Sequence, residues 1–101
     1  MITLYQAEWC PHSRSIRQRL TELAIDYAAK QVPADREHRD ELERITGARS
    51  IPALVTDDGS VIVGEDTIHA YFDTIDEPAS AAAHRDKAAT MRQREIQENQ
   101  T

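Results

Sequence analysis

The sequence predicts an α/β fold: a small mixed β-sheet with helices on its faces, in the order β-α-β-α-β-β-α, plus one C-terminal helix. Three observations lead there. A short β-prone run, a helix-period run and a second short run form a strand–helix–strand unit, which requires parallel pairing through a right-handed crossover. Asp57-Asp58-Gly59, between two short apolar runs, is a hairpin-turn signal and adds antiparallel strands. Ile68, Tyr71, Phe72 and Ile75 then recur at i, i+3, i+4 and i+7, the spacing of one buried helix face.

Taken in order, Ile2 to Tyr5 alternates in a β-prone run of about five residues. Pro11 suits the first turn of a helix, where its missing N–H costs nothing. Ile16, Leu20, Leu23 and Tyr27 give that helix an apolar stripe, with Arg14, Arg17, Arg19 and Glu22 on a face read as solvated surface. Tyr27 to Val32 is the second strand. Asp35 is the expected N-cap of the second helix, whose thin apolar face is Leu42 and Ile45, and Gly47 its C-terminal cap. Ala53 to Thr56 and Ser60 to Val63 form the hairpin. The third helix is expected to start at Asp66 or Thr67 and to break at Glu77-Pro78. The remainder has high helix propensity and few apolar side chains beyond alanines, Met91 and Ile96, so it predicts a partly exposed helix. Residues 1–76 are expected to form the domain, and 77–101 a helical tail on it or extending from it.

A chain of 101 residues makes one domain with a modest core. Its formal net charge is -6, which argues against nucleic acid as the main partner, because phosphate binding needs a basic footprint. No apolar run is long enough to span a bilayer. The N-terminus lacks the charged and apolar regions of a signal peptide, and the single cysteine fits a reducing compartment, so a cytoplasmic protein is expected.

That cysteine, Cys10, opens the first helix. A thiol there accepts hydrogen bonds from unpaired backbone N–H groups and feels the positive end of the helix dipole. Such positions lower a cysteine pKa into the range of ~3.5–7.5. Ser13, three residues on, offers a hydroxyl hydrogen to the sulfur, and Arg14 and Arg17 are expected to add a positive field. Pro11 and the polar Glu8 and His12 argue for an exposed, reactive thiol over a buried one. Cys10 and His12 have no second ligand pair at metal-like spacing, since His38, His69 and His84 stand singly, so no metal site is expected.

Cys10-Pro11-His12-Ser13 resembles the Cys-Pro-Tyr-Cys of glutaredoxins, with serine in place of the second cysteine, the monothiol form. Ile51-Pro52 is similar to the family's Thr-Val-Pro, where the proline is cis. Gly64-Glu65-Asp66-Thr67 resembles the segment that opens the family's last helix, and Arg39 matches the basic position of the second helix. The resemblance covers about residues 1–76 and implies a thioredoxin-like (glutaredoxin) fold.

It also implies a binding site for glutathione or another low-molecular-weight thiol. The backbone of Ile51, exposed before a cis Pro52, would pair with the thiol's cysteinyl part. Asp66 and Thr67 at a helix start would take its γ-glutamyl end, and Arg39 the other carboxylate. Pro11 and His12 would border the ligand. The chain departs from the family pattern at Ala7, where a lysine is usual, and at His12, which replaces an aromatic residue.

The expected function is therefore monothiol exchange on S-thiolated proteins, with Cys10 as nucleophile, Ser13 as its partner, and a monomeric protein. Two alternatives stand beside it. One is a [2Fe–2S] carrier using Cys10 of two chains and two external thiols, disfavoured by Pro11, which fixes φ and removes an N–H. The other is a binding module like the N-terminal domain of glutathione S-transferases, which shares this fold.

Overall fold

A computed structural model describes residues 1–99. The elements are β1 (Ile2–Gln6), α1 (Pro11–Glu22), β2 (Tyr27–Gln31), a 3-10 turn (Arg36–His38), α2 (Asp40–Thr46), β3 (Ala53–Val55), β4 (Val61–Val63), α3 (Glu65–Phe72) and α4 (Ala81–Asn99). The sheet order is β2-β1-β3-β4. β1 runs parallel to β2, with Ile2 opposite Tyr27, and antiparallel to β3, with Leu4 opposite Leu54. β3 and β4 close the hairpin with Ala53 opposite Val63. This is the mixed α/β order that the sequence predicts.

The core lies between the sheet centre and the pair α1 and α3. Leu4 and Leu54 meet Ile16, Leu20 and Leu23 from the first helix and Ile68 and Phe72 from the third. Ile16 and Leu20, like Ile68 and Phe72, are spaced i, i+4, so each helix presents one stripe to the sheet. Burying each such side chain stabilises the fold by about 1.5–3 kcal/mol. The pleat sends Tyr5 to the opposite face from Leu4. There it lines a cavity of about 120 Å3 with Leu42 of α2.

Several boundaries differ from expectation, and α3 already ends at Phe72, before the expected break at Glu77-Pro78. Asp35 precedes the 3-10 turn and not α2. The chain breaks at Arg39, with φ -95 and ψ 43, because its side chain turns inward onto the carbonyls of Pro33 and Ala34. α3 begins at Glu65 and is capped by Gly64 at φ 97, a left-handed conformation open to glycine, so Asp66 and Thr67 fall inside the first turn. The strands β2, β3 and β4 are each shorter than expected. At the hairpin, Thr56 and Ser60 take the ladder's place around the Asp58 carboxylate. Hydrogen bonds from the Thr56 hydroxyl and then from Ser60 pull its pKa down to about 2.

The arginine face of α1 is not simply solvated. Arg17 reaches the buried Gln6 and, at 3.2 Å, Glu8. Gln6 in turn donates to Gln31 at 3.1 Å, tying α1, β1 and β2 together at one end of the sheet. α4 lies against α1 and buries Ala81. Arg85 bridges Glu77 at 2.7 Å and Glu22 at 3.3 Å, while Met91 and Ile96 stay exposed. No helix among the described residues is long and apolar enough to cross a membrane.

Phe72 is fully buried in the cluster, so Phe72→Ala should cost about 3–5 kcal/mol in urea unfolding. Ile96→Ala, on the exposed side of α4, should change stability by less than ~0.5 kcal/mol.

Candidate functional site

Cys10 is the N-cap residue of α1, in extended conformation with φ -81 and ψ 118, and Pro11 occupies the first turn. That turn contains no acidic side chain, so nothing on α1 itself opposes a negative charge there. The loop from β1 is tight: the Cys10 N–H donates to the Ala7 carbonyl at 3.1 Å, and the Arg14 N–H to the Cys10 carbonyl at 3.0 Å. Against the expectation of exposure, Cys10 is only 5% accessible, and Ala7, to which its N–H is bonded, is 4% exposed.

Burial raises the thiol's pKa. Hydrogen bonds from the Ser13 hydroxyl, the Ser13 N–H and the His12 N–H outweigh it, and the net shift is downward. The neutral thiol makes no tight capping bond, so these donors act on the thiolate as it forms. Ser13 is fully buried and also accepts a long hydrogen bond, 3.5 Å, from the Ala7 N–H. With that N–H on its oxygen, the hydroxyl proton is directed at the sulfur. The positive field expected from Arg14 and Arg17 is not among the influences that set this shift. A charge that does act on Cys10 is Glu65, which raises its pKa.

Glu65 had no role assigned from sequence, although it stands in the Gly64-Glu65-Asp66-Thr67 segment. Its carboxylate meets Nδ1 of the exposed His12, joining the start of α1 to the start of α3. The Gly64 N–H donates to the Pro52 carbonyl at 2.9 Å, joining the same helix start to the loop before β3. The Ile51-Pro52 peptide bond is cis, as the resemblance implies. Cys10, His12 and Ser13, the first turn of α3 and the Ile51-Pro52 segment are thus linked by direct bonds. Asp66 and Thr67 are exposed on that first turn, and their side chains have no partner among the described residues.

Arg39 is placed otherwise than expected. It is 6% exposed, and its Nε, Nη1 and Nη2 atoms donate to the carbonyls of Pro33, Arg49 and Ala34 at 2.8, 3.0 and 3.1 Å. Its guanidinium is a buried tie between the start of the 3-10 segment and the loop that leads into Ile51. A carboxylate at the site's far end would have to compete with these three bonds.

Removing the directed hydroxyl in Ser13→Ala should raise the Cys10 pKa and slow its alkylation at pH 7, read with iodoacetamide. Arg39→Lys keeps the charge but not the planar fork. It should leave carbonyls unpaired and lower stability by about 1–3 kcal/mol in urea unfolding.

The glutaredoxin family model matches residues 2–62, the segment from β1 into β4. The Gene 56 protein of Mycobacterium phage L5 is 32% identical over 63 residues, 62% of this chain and 61% of that protein. Among solved structures, a glutathione S-transferase from Rhodospirillum rubrum F11 is 26% identical with a TM-score of 0.66, covering 81% of this chain and 40% of that one. Another from Methylobacillus flagellatus KT, solved with GSH bound, is 26% identical with a TM-score of 0.61, covering 72% of this chain and 36% of that one. The chain therefore spans about three-fifths of the phage protein and two-fifths or less of the transferases. The fold is the thioredoxin-like one that these transferases share, and the matched segment carries Cys10, Ser13 and Pro52 together. On that match over more than half its length, the chain belongs to the glutaredoxin family.

Proposed function

We propose that the chain is a monothiol thiol–disulfide oxidoreductase that reduces mixed disulfides between proteins and a low-molecular-weight thiol, glutathione or a close relative. The observation that carries this reading is a Cys10 thiol with lowered pKa at the start of α1, with a serine where a resolving cysteine would stand. The Cys10 thiolate attacks the small-thiol sulfur of the mixed disulfide. That S–S bond breaks, the protein sulfur leaves as thiolate and takes a proton, and Cys10 holds the small thiol in a new disulfide. A second small thiol, as thiolate, attacks the held sulfur and leaves as the oxidised small-molecule disulfide, regenerating the Cys10 thiolate. Summed over both steps, one mixed disulfide and one free small thiol become one protein thiol and one small-molecule disulfide, so the protein sulfur is reduced and the small thiol oxidised.

The small thiol's backbone pairs with Ile51 beside Pro52, and its γ-glutamyl end meets Asp66 and Thr67, whose free side chains sit where a helix N-terminus favours a carboxylate. Pro11 and His12 border it. Arg39 serves the site by holding the Ile51 loop. A monomer in the cytoplasm, where reduced thiols are maintained, is the setting this chemistry needs. A 5% exposed Cys10 followed by Pro11 suits attack on the sulfur of one mixed disulfide better than a [2Fe–2S] cluster shared between two chains. The likeness to transferases favours one further reading, a module that binds glutathione without exchanging it.

Mass spectrometry after incubation with glutathione disulfide separates them. Exchange predicts one glutathione on Cys10, removed by excess thiol and absent in Cys10→Ser. Retention of glutathione without a covalent adduct would favour the binding module, and no adduct with any small disulfide would reject the exchange mechanism.

A further inference from the structure

A groove of about 420 Å3 runs between α1, α3 and α4, and Pro11, the residue after Cys10, is part of its lining. Its lining includes Arg14, Arg19, Arg92, Ser15, His69 and Glu22. Ser15 Oγ lies 2.7 Å from Nε2 of His69, which resembles a nucleophile and its base. The rest of the network excludes that. Arg19 is always a donor and sits 3.2 Å from Nδ1, so the proton of the neutral ring is on Nε2 and points at Ser15. His69 is a donor there, and Arg19 is further fixed on Asp73 at 2.7 Å.

The groove's charge remains. Glu22 is held by Gln18 at 3.1 Å and Arg85 at 3.3 Å. Arg14 and Arg92, both exposed, have no hydrogen-bond or ion-pair partner among the described residues. On a chain of net charge -6, two uncommitted guanidinium groups lining one groove next to the nucleophile form a local inversion of sign. A polypeptide whose thiolated cysteine reaches Cys10 has to leave the site across some neighbouring surface, and Pro11 is part of this groove. We propose that it receives an acidic segment flanking the S-thiolated cysteine of the protein substrate, with Arg14 and Arg92 pairing with its carboxylates. This rests on the thiol-exchange reading and adds the substrate class to it. Arginine suits the task because its fork pairs bidentately with carboxylates.

The test measures binding apart from chemistry. Full-length Cys10→Ser protein is titrated with a fluorescein-labelled peptide carrying a central S-glutathionylated cysteine flanked by Glu and Asp, and with its Gln and Asn counterpart. At low salt the acidic peptide should bind about five- to tenfold more tightly, the expectation for two exposed ion pairs. The difference should shrink as salt rises, and Arg14→Gln combined with Arg92→Gln should abolish it. Equal affinities for the two peptides, or a preference that survives the double substitution, would overturn the proposal. Failure of the exchange reading itself would register separately, as wild-type protein that forms no adduct with small disulfides.

Discussion

The site depends on one hydroxyl. Ser13 sits fully buried one turn into α1, accepts from the Ala7 N–H and donates toward the Cys10 sulfur. It therefore links the end of the β1 loop to the Cys10 thiol through a single oxygen. Were the thiol merely buried, its neutral form would be favoured, and desolvation is indeed the largest influence on it. What reverses the outcome is that three donors converge on the same sulfur from residues 12 and 13. Their position is set by the helix start, and the helix start is set by Pro11 and by the Ile16 and Leu20 stripe that docks α1 on the sheet.

The second constraint is the meeting of two helix N-termini. α3 enters directly from β4 through Gly64, and its first residue, Glu65, comes close enough to Cys10 to oppose the thiolate. The same carboxylate pairs with His12, so the acidic charge is turned onto a neighbouring side chain at the rim. Gly64 also anchors Pro52, and Arg39 anchors Arg49 two residues before Ile51. The start of α1 is therefore tied to α3 through the His12 and Glu65 side chains, and the α3 start and the Ile51 loop through bonds to backbone carbonyls.

Much of this was legible in the sequence, and the remainder failed for identifiable reasons. Helix-period stripes placed Ile16, Leu20, Ile68 and Phe72 in the core, and the Asp57-Asp58-Gly59 turn marked the hairpin. Cys10 at a helix start with Pro11 behind it follows from local rules. Its burial does not, because the tight turn from Ala7 to Cys10 is a feature of loop geometry that periodicity does not carry. Arg39 and Arg17 mislead for a common reason. A charged side chain reads as solvated or ligand-binding, whereas each here is turned inward, onto backbone carbonyls in one case and onto Gln6 in the other. The pairing of His12 with Glu65, 53 residues apart, is a tertiary contact without local signal.

The central claim is that hydrogen bonds at the start of α1 overcome burial and lower the Cys10 pKa below that of an ordinary cysteine. Its direct measurement is the thiolate absorbance at ~240 nm across pH, corrected with Cys10→Ser, against the ordinary cysteine midpoint of ~8.5. The account predicts a single transition below that value. A midpoint at or above it would mean that burial wins and that the nucleophile is not activated by the fold.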